Sequence, residues 1–198
     1  MMARRNDHSR DELQQMALQA AERLLDEQGA EALSTRKIAA AIGYSVGSLY
    51  QLFRNYDDLC WQINSRTLQQ LLQALAPHDG KPPREALKAY ALGYLQFAGQ
   101  QPQRWSLLFE HRSPAELATP VELDGAIAQL FGLIEQPLAA LLPEQPAQEI
   151  ELAARTLWSG VHGVAVLSSK DKLFHADPGS AGRMVTDLID RYLDGWRG

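Results

Sequence analysis

Apolar residues recur along the chain at the three- and four-residue spacing of helices, without a convincing strand-like alternation. The first helix is predicted to begin at Arg10, because Ser9 and Glu12 match the capping box, in which each side chain bonds the other residue's backbone amide. Gly29 is expected to end this helix. Its apolar face consists of Leu13, Ala17, Ala20 and Leu24.

Two short helices follow the first. Ser34 or Thr35 is predicted to cap the second helix, which ends at Gly43. Ser45 is predicted to cap the third, which runs to Phe53. The chain therefore turns sharply between two helices within a few residues.

Longer helices occupy the rest of the chain. Asn55 is expected to open a fourth helix that extends toward Ala76, and the segment 77–83 is a proline- and glycine-containing loop. Pro137 is expected to kink or split the helical segment that contains it. The later helices are predicted near residues 84–99, 103–110, 121–142, 147–168 and 180–196. The pattern predicts an all-α protein of about nine helices.

The pair of short helices has the features of a helix-turn-helix. Ala39 is the small residue needed where the helices cross, and Gly43 tolerates the positive φ of the turn. The residues that would lock the crossing are Ile38, Ile42, Leu49 and Phe53. The face left outside is Val46, Gly47, Ser48 and Gln51, with Tyr44 and Tyr50 at its edges. This short, polar, nearly uncharged face suits a DNA major groove, although a helical hairpin of a scaffold would share the pattern.

The charge distribution changes how the acidic composition is interpreted. A net charge of -5 argues against nucleic acid, yet residues 1–56 hold seven Lys/Arg and seven Asp/Glu, leaving 12 basic and 17 acidic residues beyond them. Arg36, Lys37 and Arg54 flank the outward face, so the local field there is expected to be positive.

Several functional classes receive no support from the sequence. No apolar run is long enough to cross a bilayer and the start MMARRNDHSRDE lacks a signal-peptide core, so we expect a cytoplasmic protein with no membrane partner. The single Cys60 cannot form an internal disulfide and is interpreted as a small core residue, with a redox thiol as the minor alternative.

The segment from Arg10 to Leu59 resembles the DNA-binding domain of TetR-family transcriptional regulators. The matching stretches are 34–39, STRKIA, and 43–50, GYSVGSLY, followed by Phe53, Asn55 and Leu59. This resemblance implies that residues 1–56 form a three-helix helix-turn-helix DNA-binding domain and residues 57–198 a larger helical effector-binding and dimerisation domain.

The resemblance also assigns roles to individual residues. It implies that Thr35 and Arg36 lie at the DNA backbone, and that Tyr44 and Tyr50 contact phosphate or base edges. The residues expected at or beside the bases are Ser45, Val46, Gly47, Ser48 and Gln51.

Two positions depart from the family pattern. A histidine common in the family is Leu52 here, and a common lysine is Tyr56. Both usual residues touch phosphate, so fewer ionic contacts are expected, with Arg54 and Arg5 as candidates to compensate.

The stretch 158–163, WSGVHG, resembles the Trp-His-Gly signature of one C-terminal subclass of the family. Gly160 would allow another helix to approach closely, and Trp158 and His162 share a helix face. His162 is expected to be a hydrogen-bonded core histidine or, alternatively, a polar group in an effector pocket. No other histidine has ligand spacing to it, so neither a metal nor a cofactor is predicted.

An effector site and a dimer interface are both expected in the C-terminal part. The aromatic candidates for effector binding are Trp105, Phe109, Phe131, Trp158 and His162. The apolar stripe of the last helix is too broad for one contact, so it is expected to pack against its own chain and a second copy. The dimer-interface candidates are Gly160, Leu188 and Tyr192.

An enzyme and a structural adaptor are the competing interpretations. Ser159 beside His162, or Glu149 with Glu151, could be offered as catalytic pairs, but no third group or phosphate-binding loop accompanies them. The sequence instead predicts a homodimeric regulator that binds an inverted-repeat operator. By the family resemblance it is expected to be a repressor. Release by a small apolar or aromatic ligand is predicted because most of the chain is an acidic helical domain that is rich in aromatic residues and has no catalytic constellation.

Overall fold

The computed structural model describes residues 8–78, 80–113, 116, 118–175, 177 and 179–196. Within these ranges the chain forms nine α-helices and two short 3-10 helices, with no strand. The α-helices are α1 Arg10–Gln28, α2 Thr35–Ile42, α3 Val46–Tyr50, α4 Tyr56–Leu75, α5 Pro83–Gln100, α6 Pro102–Glu110, α7 Val121–Leu141, α8 Ala147–Ser169 and α9 Ser180–Gly195. The all-α prediction is confirmed.

The predicted helix starts are present as side-chain caps. Ser9 and Glu12 form both bonds of the capping box at the start of α1. Ser34 caps α2 by accepting from the Lys37 amide at 3.2 Å. Each cap satisfies an amide that a helix start otherwise leaves without a partner, which is why these boundaries could be predicted locally.

Two expectations about helix continuity differ from the structure. The third helix ends at Tyr50 instead of Phe53, because the amides of Gln51 and Leu52 bond carbonyls three residues earlier and tighten the final turn. Of the two effects expected of Pro137, a split does not occur, because α7 continues through it to Leu141, and a kink stays a prediction. Proline has no backbone amide to donate to the helix. Pro137 lies near the end of α7, so only a few helical residues follow the lost hydrogen bond.

The chain divides into two compact units. The first comprises Met1–Thr67 and Gln103–Leu123, and the second comprises Leu68–Pro102 and Asp124–Gly198. The predicted boundary at residue 56 therefore falls inside the first unit, and a functional division there stays a prediction. Helix α4 belongs to both units, since the chain passes from one to the other at Thr67.

The core of the first unit joins the helix-turn-helix to the beginning of α4. Ile38, Leu49 and Cys60 are almost completely buried in one cluster, to which Leu107 of α6 also contributes. The prediction that Cys60 is a core residue is confirmed. Arg104 of α6 bonds both carboxylate oxygens of Asp26, at 2.8 and 2.7 Å. Helix α6 is thus held against α1.

The second unit is built around the packing of α5, α8 and α9. Buried side chains from these helices include Phe97, Leu157 and Val185. At its surface, Arg84 bonds Asp190 at 2.9 Å and Asp194 at 2.6 Å, which ties α5 to α9. Among the described helices, none is long and apolar enough to span a bilayer.

Candidate DNA-binding surface and effector cavity

The turn between α2 and α3 depends on a left-handed glycine. Gly43 has a φ of 75° and a ψ of 24°, and its amide bonds the carbonyls of Ala39 and Ala40 at the end of α2. A side chain would make this backbone conformation costly, so glycine suits the position. The Tyr44 amide then bonds the Ala39 carbonyl at 3.0 Å. The turn forms as its residues predicted.

The short helix α3 leaves part of its surface exposed to solvent. Ser45, Gly47, Tyr50 and Gln51 are exposed, and Ser48 is half-buried. Tyr50 is the most prominent of these, with 60% of its surface exposed. The structure therefore collects most of the predicted DNA-contacting residues of the third helix on one exposed region.

Val46 has a different environment from its neighbours. It is half-buried and packs against the core of the first unit. Val46 was expected to face outward. It contacts the core because the first residue of a short helix lies close to the preceding helix. Its role at the bases stays a prediction.

Gly47 has space for a side chain within its own chain. A Cβ atom built there would meet only the Ser45 hydroxyl oxygen, at 3.7 Å. Glycine inside a helix costs about 1 kcal/mol relative to alanine, and no packing contact here offsets that cost. The position is therefore suited to close approach by a partner outside the chain.

Ser45, the residue that precedes α3, and Ser48 within the helix stabilise its first turn. The Ser45 hydroxyl accepts from the Ser48 amide at 3.2 Å and lies 3.0 Å from the Ser48 hydroxyl. These bonds hold both hydroxyls in a defined position on the exposed face. They can also donate to or accept from a base edge, since a hydroxyl has one proton and two lone pairs.

Residues at the start of α1 reach the same surface, and the helical period did not indicate them. His8 Nδ1 lies 2.8 Å from the Tyr44 hydroxyl, and Arg10 Nη2 donates to the Gln51 carbonyl at 3.2 Å. These contacts span 36 and 41 residues of sequence, so no local signal could have found them.

Basic side chains border the exposed face. Arg36 and Arg54 are exposed, and across the described part of the chain neither guanidinium takes part in an ion pair. The Lys37 ammonium donates to Gln28 at 3.0 Å, whereas Thr35 is half-buried at the start of α2. Exposed cations around a neutral polar face are the arrangement expected of a DNA-binding surface.

The two departures from the family pattern have structural roles. Leu52 is buried in the core of the first unit, and Tyr56 packs edge-on against His111 at 6.5 Å between ring centroids. Arg5, the second candidate to compensate for them, lies outside the described residues.

An apolar cavity lies within the second unit. The space open to the centre of a water-sized molecule is about 40 Å³, and the empty volume of about 490 Å³ around it includes open solvent. Its lining residues come from five helices: Leu75, Leu87, Tyr90, Ala91, Tyr94, Leu130, Leu133, Ile134, Leu157, Trp158, Val161 and Ile189. Protein interiors are otherwise closely packed, so this space is a candidate ligand site.

The predicted effector residues do not all meet at this cavity. Trp158 lines it, Phe131 packs edge-on against Trp158 at 5.5 Å, and His162 stacks on Trp158 at 5.0 Å. Trp105 and Phe109 belong to the first unit, where their rings lie 5.1 Å apart. Of the five predicted residues, Trp158 lines the cavity, two pack against Trp158, and two belong to the other unit, so their role in effector binding stays a prediction.

His162 is hydrogen-bonded beside the cavity. Its Nδ1 lies 2.8 Å from the Tyr94 hydroxyl, and burial lowers the pKa of its imidazole because the charged form loses hydration. Tyr90 and Tyr94 both line the cavity. Their four-residue spacing placed them on one face of α5, but spacing alone could not show that this face borders empty space.

The predicted dimer residues lie at the packing of α8 on α9. A Cβ atom on Gly160 would lie 2.5 Å from Leu188 Cδ2 of the same chain, and both residues are half-buried. Tyr192 is also half-buried and packs against Trp196 with ring centroids 6.2 Å apart. No cluster of potential metal ligands occurs in the portion of the chain that the structure describes.

The fold and the exposed helix-turn-helix surface are those of a DNA-binding transcriptional regulator. Residues 17–60 match the family described as bacterial regulatory proteins, tetR family. Residues 87–192 match the family described as tetracyclin repressor-like, C-terminal domain. The chain belongs to the TetR family of bacterial transcriptional regulators.

Individual relatives agree with this assignment. The chain is 28% identical over 154 residues to the nucleoid occlusion factor SlmA of Cronobacter sakazakii, covering 76% of this chain and 75% of SlmA. It is 40% identical over 48 residues to an HTH-type transcriptional regulator of Staphylococcus aureus, but that match covers only 24% of this chain and 26% of the regulator. A TetR-like transcriptional regulator from Rhodococcus sp. RHA1 is similar in structure, with a TM-score of 0.64 and 25% identity over 92% of this chain and 96% of the other.

Proposed function

We propose that this regulator is a homodimeric repressor that leaves an inverted-repeat operator when a small apolar or aromatic ligand enters the cavity of the second unit. The observation that carries the proposal is the apolar cavity itself, whose lining residues other than Leu75 lie in the region matched by the repressor-like C-terminal domain. A space of this kind in a DNA-binding protein is most simply explained by regulation through a ligand.

The exposed face of the first unit supports the DNA-reading part of the proposal. Ser45, Ser48, Tyr50 and Gln51 would meet the major groove, with Gly47 permitting close approach. Thr35 and Tyr44 would hold the DNA backbone beside Arg36 and Arg54, and Val46 would contribute an apolar contact. One short helix reads only a few base pairs, so we propose that two copies read successive major-groove faces about 34 Å apart.

Helix α4 offers a physical route between ligand and DNA. Its early residues Leu59, Cys60 and Ile63 belong to the core that supports α3, and Leu75 near its end lines the cavity. A ligand that favours one position of Leu75 would bias the same helix that supports the reading face. The ligand acts only through its different affinity for the two states, and a coupling of roughly 3 kcal/mol would lower operator affinity about a hundredfold.

The dimer would form through α8 and α9, with Gly160, Leu188 and Tyr192 at or beside the contact. Because Leu188 packs against Gly160 within one chain, a large residue at either position would also disturb folding. Ser159 gives a cleaner test, since it is exposed and, among the residues that the structure describes, its hydroxyl donates only to the Arg155 carbonyl of its own helix.

Sedimentation of Ser159→Arg would test this interface. We expect a folded monomer with weakened operator binding, because two like charges would meet at the symmetry contact. Gln96→Arg, at an exposed position of α5, is the matched control and should remain dimeric. A Ser159→Arg dimer as stable as the wild type would place the interface elsewhere.

The finer classification and the location are also proposals. Trp158, His162 and Gly163 support membership of the Trp-His-Gly subclass, because the structure stacks the first two rings on each other beside the cavity. A regulator of chromosomal genes would act in the cytoplasm, without a membrane partner, a metal, a cofactor or an enzymatic reaction.

The central experiment begins with the DNA. The purified protein is mixed with fragments of its own genome, and sequencing of the retained fragments identifies the operator. The operator is then titrated with and without apolar and aromatic compounds that raise the melting temperature of the protein. The proposal predicts weaker operator binding with such a compound, and a compound that occupies the cavity without changing operator affinity would contradict it.

A further inference from the structure

His8, which directly precedes the cap of α1, lies beside the exposed face of the first unit. Its Nδ1 lies 2.8 Å from the Tyr44 hydroxyl, and the two rings are tilted by 59° with their centroids 6.1 Å apart. His8 is exposed, whereas Tyr44 is half-buried and directly precedes Ser45, the residue that caps α3. The imidazole is therefore held at the edge of the surface that is proposed to meet DNA.

The start of α1 is joined to this surface at a second point. Arg10 Nη2 donates to the Gln51 carbonyl at 3.2 Å, at the end of α3. The Tyr44 amide donates to the Ala39 carbonyl at 3.0 Å, which fixes Tyr44 in the turn. His8 therefore has a defined place relative to α3, although 36 residues separate it from Tyr44.

The hydrogen bond between His8 and Tyr44 determines what the pair can offer to a phosphate. A phosphate oxygen accepts hydrogen bonds, so only an N–H or O–H that is not already used can bind it. Among the described residues, neither side chain makes a further hydrogen bond. With a neutral imidazole the pair holds two protons, of which one is used in its own bond. With a protonated imidazole, Nδ1 donates to the Tyr44 oxygen, and both Nε2–H and the Tyr44 O–H are left to donate.

The charged groups around His8 come from α1. The pKa of the Glu12 carboxyl is lowered chiefly by the backbone amide and the hydroxyl of Ser9, and to a smaller extent by the charge of His8. The guanidinium of Arg10 is directed at a backbone carbonyl of α3. From the turn, Tyr44 contributes a neutral hydroxyl. A proton on His8 thus faces one carboxylate and one neutral oxygen.

We propose that His8 and Tyr44 together bind a phosphate of the DNA backbone, and that His8 takes up a proton when the contact forms. The proposal rests on the proposed function, since it adds a contact to the same DNA-binding surface. A phosphate beside the imidazole stabilises the charged form, so by linkage DNA affinity rises as the pH falls. Histidine is the side chain that changes its charge roughly between pH 5 and pH 8. Phosphates carry no base identity, so the effect should not depend on DNA sequence.

Titrations of a rhodamine-labelled DNA duplex of arbitrary sequence, at low salt and at pH 6 and pH 8, test the proposal. The affinity of the wild type should be about threefold or more higher at pH 6, with a steeper salt dependence, because a further charge contacts phosphate. His8→Gln keeps a hydrogen-bonding side chain without the charge and should lose most of this gain. His175→Gln is the matched control, since His175 is an exposed histidine of the second unit, and it should keep the gain.

Two further variants separate a phosphate contact from a structural role. His8→Lys remains charged at both pH values, so at pH 8 it should bind the duplex at least as tightly as the wild type, with no gain at pH 6. Tyr44→Phe removes the hydroxyl that orients the imidazole and should lose about half of the gain or more. Circular dichroism at both pH values checks that each variant is folded.

The proposal is overturned if the wild type shows no gain at pH 6, or if His8→Gln keeps the wild-type gain. A full gain in Tyr44→Phe would overturn the pairing, because the imidazole would then act without the hydroxyl. These results differ from a failure of the proposed function. A folded wild type without affinity for duplex DNA at either pH would refute the DNA-binding surface itself, whereas equal pH profiles of wild type and His8→Gln would refute only the role of His8.

Discussion

Leu188 occupies the space that a side chain at position 160 would need, since a Cβ atom on Gly160 would lie 2.5 Å from Leu188 Cδ2. Gly163, one turn further along α8, differs, because a Cβ atom there would meet nothing within 4 Å. The helix therefore contains two glycines, of which only the first lies directly against a side chain of another helix.

This pair of glycines predicts different effects of alanine. Gly163→Ala should stabilise the protein by up to about 1 kcal/mol through helix propensity. Gly160→Ala should be on the order of 1 kcal/mol less stable than Gly163→Ala, because the new methyl group must shift the end of the flexible Leu188 side chain. Urea unfolding at two protein concentrations would measure both and reveal any contribution from dimerisation. Equal free energies of unfolding would contradict the predicted contact.

The exposed face of α3 predicts a loss of operator affinity without a loss of fold. Tyr50→Ala should weaken binding by about 1 kcal/mol or more, and Ser48→Ala should weaken it as well, because each removes a group available to a base edge or phosphate. Phe174→Ala removes an aromatic ring that is 88% exposed in the second unit and should bind normally. Fluorescence anisotropy with the operator gives the affinities. If both α3 variants bind like the wild type, this face does not read DNA.

Arg36 is expected to contact the DNA backbone and therefore to act without regard to base sequence. Arg36→Ala should weaken specific and non-specific DNA alike and reduce the slope of log affinity against log salt by about one unit. Titrations between low and moderate salt would measure this slope. Arg191→Ala, which removes an exposed charge paired with Asp187 on α9, should leave it unchanged. A change in base preference in Arg36→Ala would assign that residue a different role.

Cys60 is expected to be unreactive in the folded protein. Burial raises the pKa of its thiol to about 11, so at pH 8 it is almost entirely protonated, and it is also inaccessible. A colorimetric disulfide reagent should therefore modify it only after unfolding in guanidinium chloride, and then by one equivalent because the chain has one cysteine. Rapid modification of the native protein would revive the redox-thiol alternative.

His162 should make the fold sensitive to acid. Its pKa lies below the ordinary value of 6.5, because burial disfavours the charged form. As the pH falls below 6.5, the unfolded state takes up a proton before the folded state does, so stability is lost. The drop in melting temperature between pH 8 and pH 5 should be smaller in His162→Gln than in the wild type. An equal drop would show that His162 does not contribute.

The amino-acid sequence determined the features of this protein that depend on near neighbours. Ser9, Ser34 and Ser45 each bond an amide three residues away, and Gly43 needs only its own backbone conformation. Helix starts, the sharp turn and the burial of Cys60 could therefore be predicted from local spacing and periodicity.

Only the tertiary structure decided which helices meet, because such contacts join residues distant in sequence. It placed Trp105 in the first unit and Trp158 at the cavity, although both are aromatic residues at helical spacing. It also brought His8 to Tyr44, and Leu188 to Gly160, through packing of separate helices. Periodicity identifies the face that a helix buries. Which helix packs on that face, and whether a cavity remains beside it, depends on the packing of the whole unit.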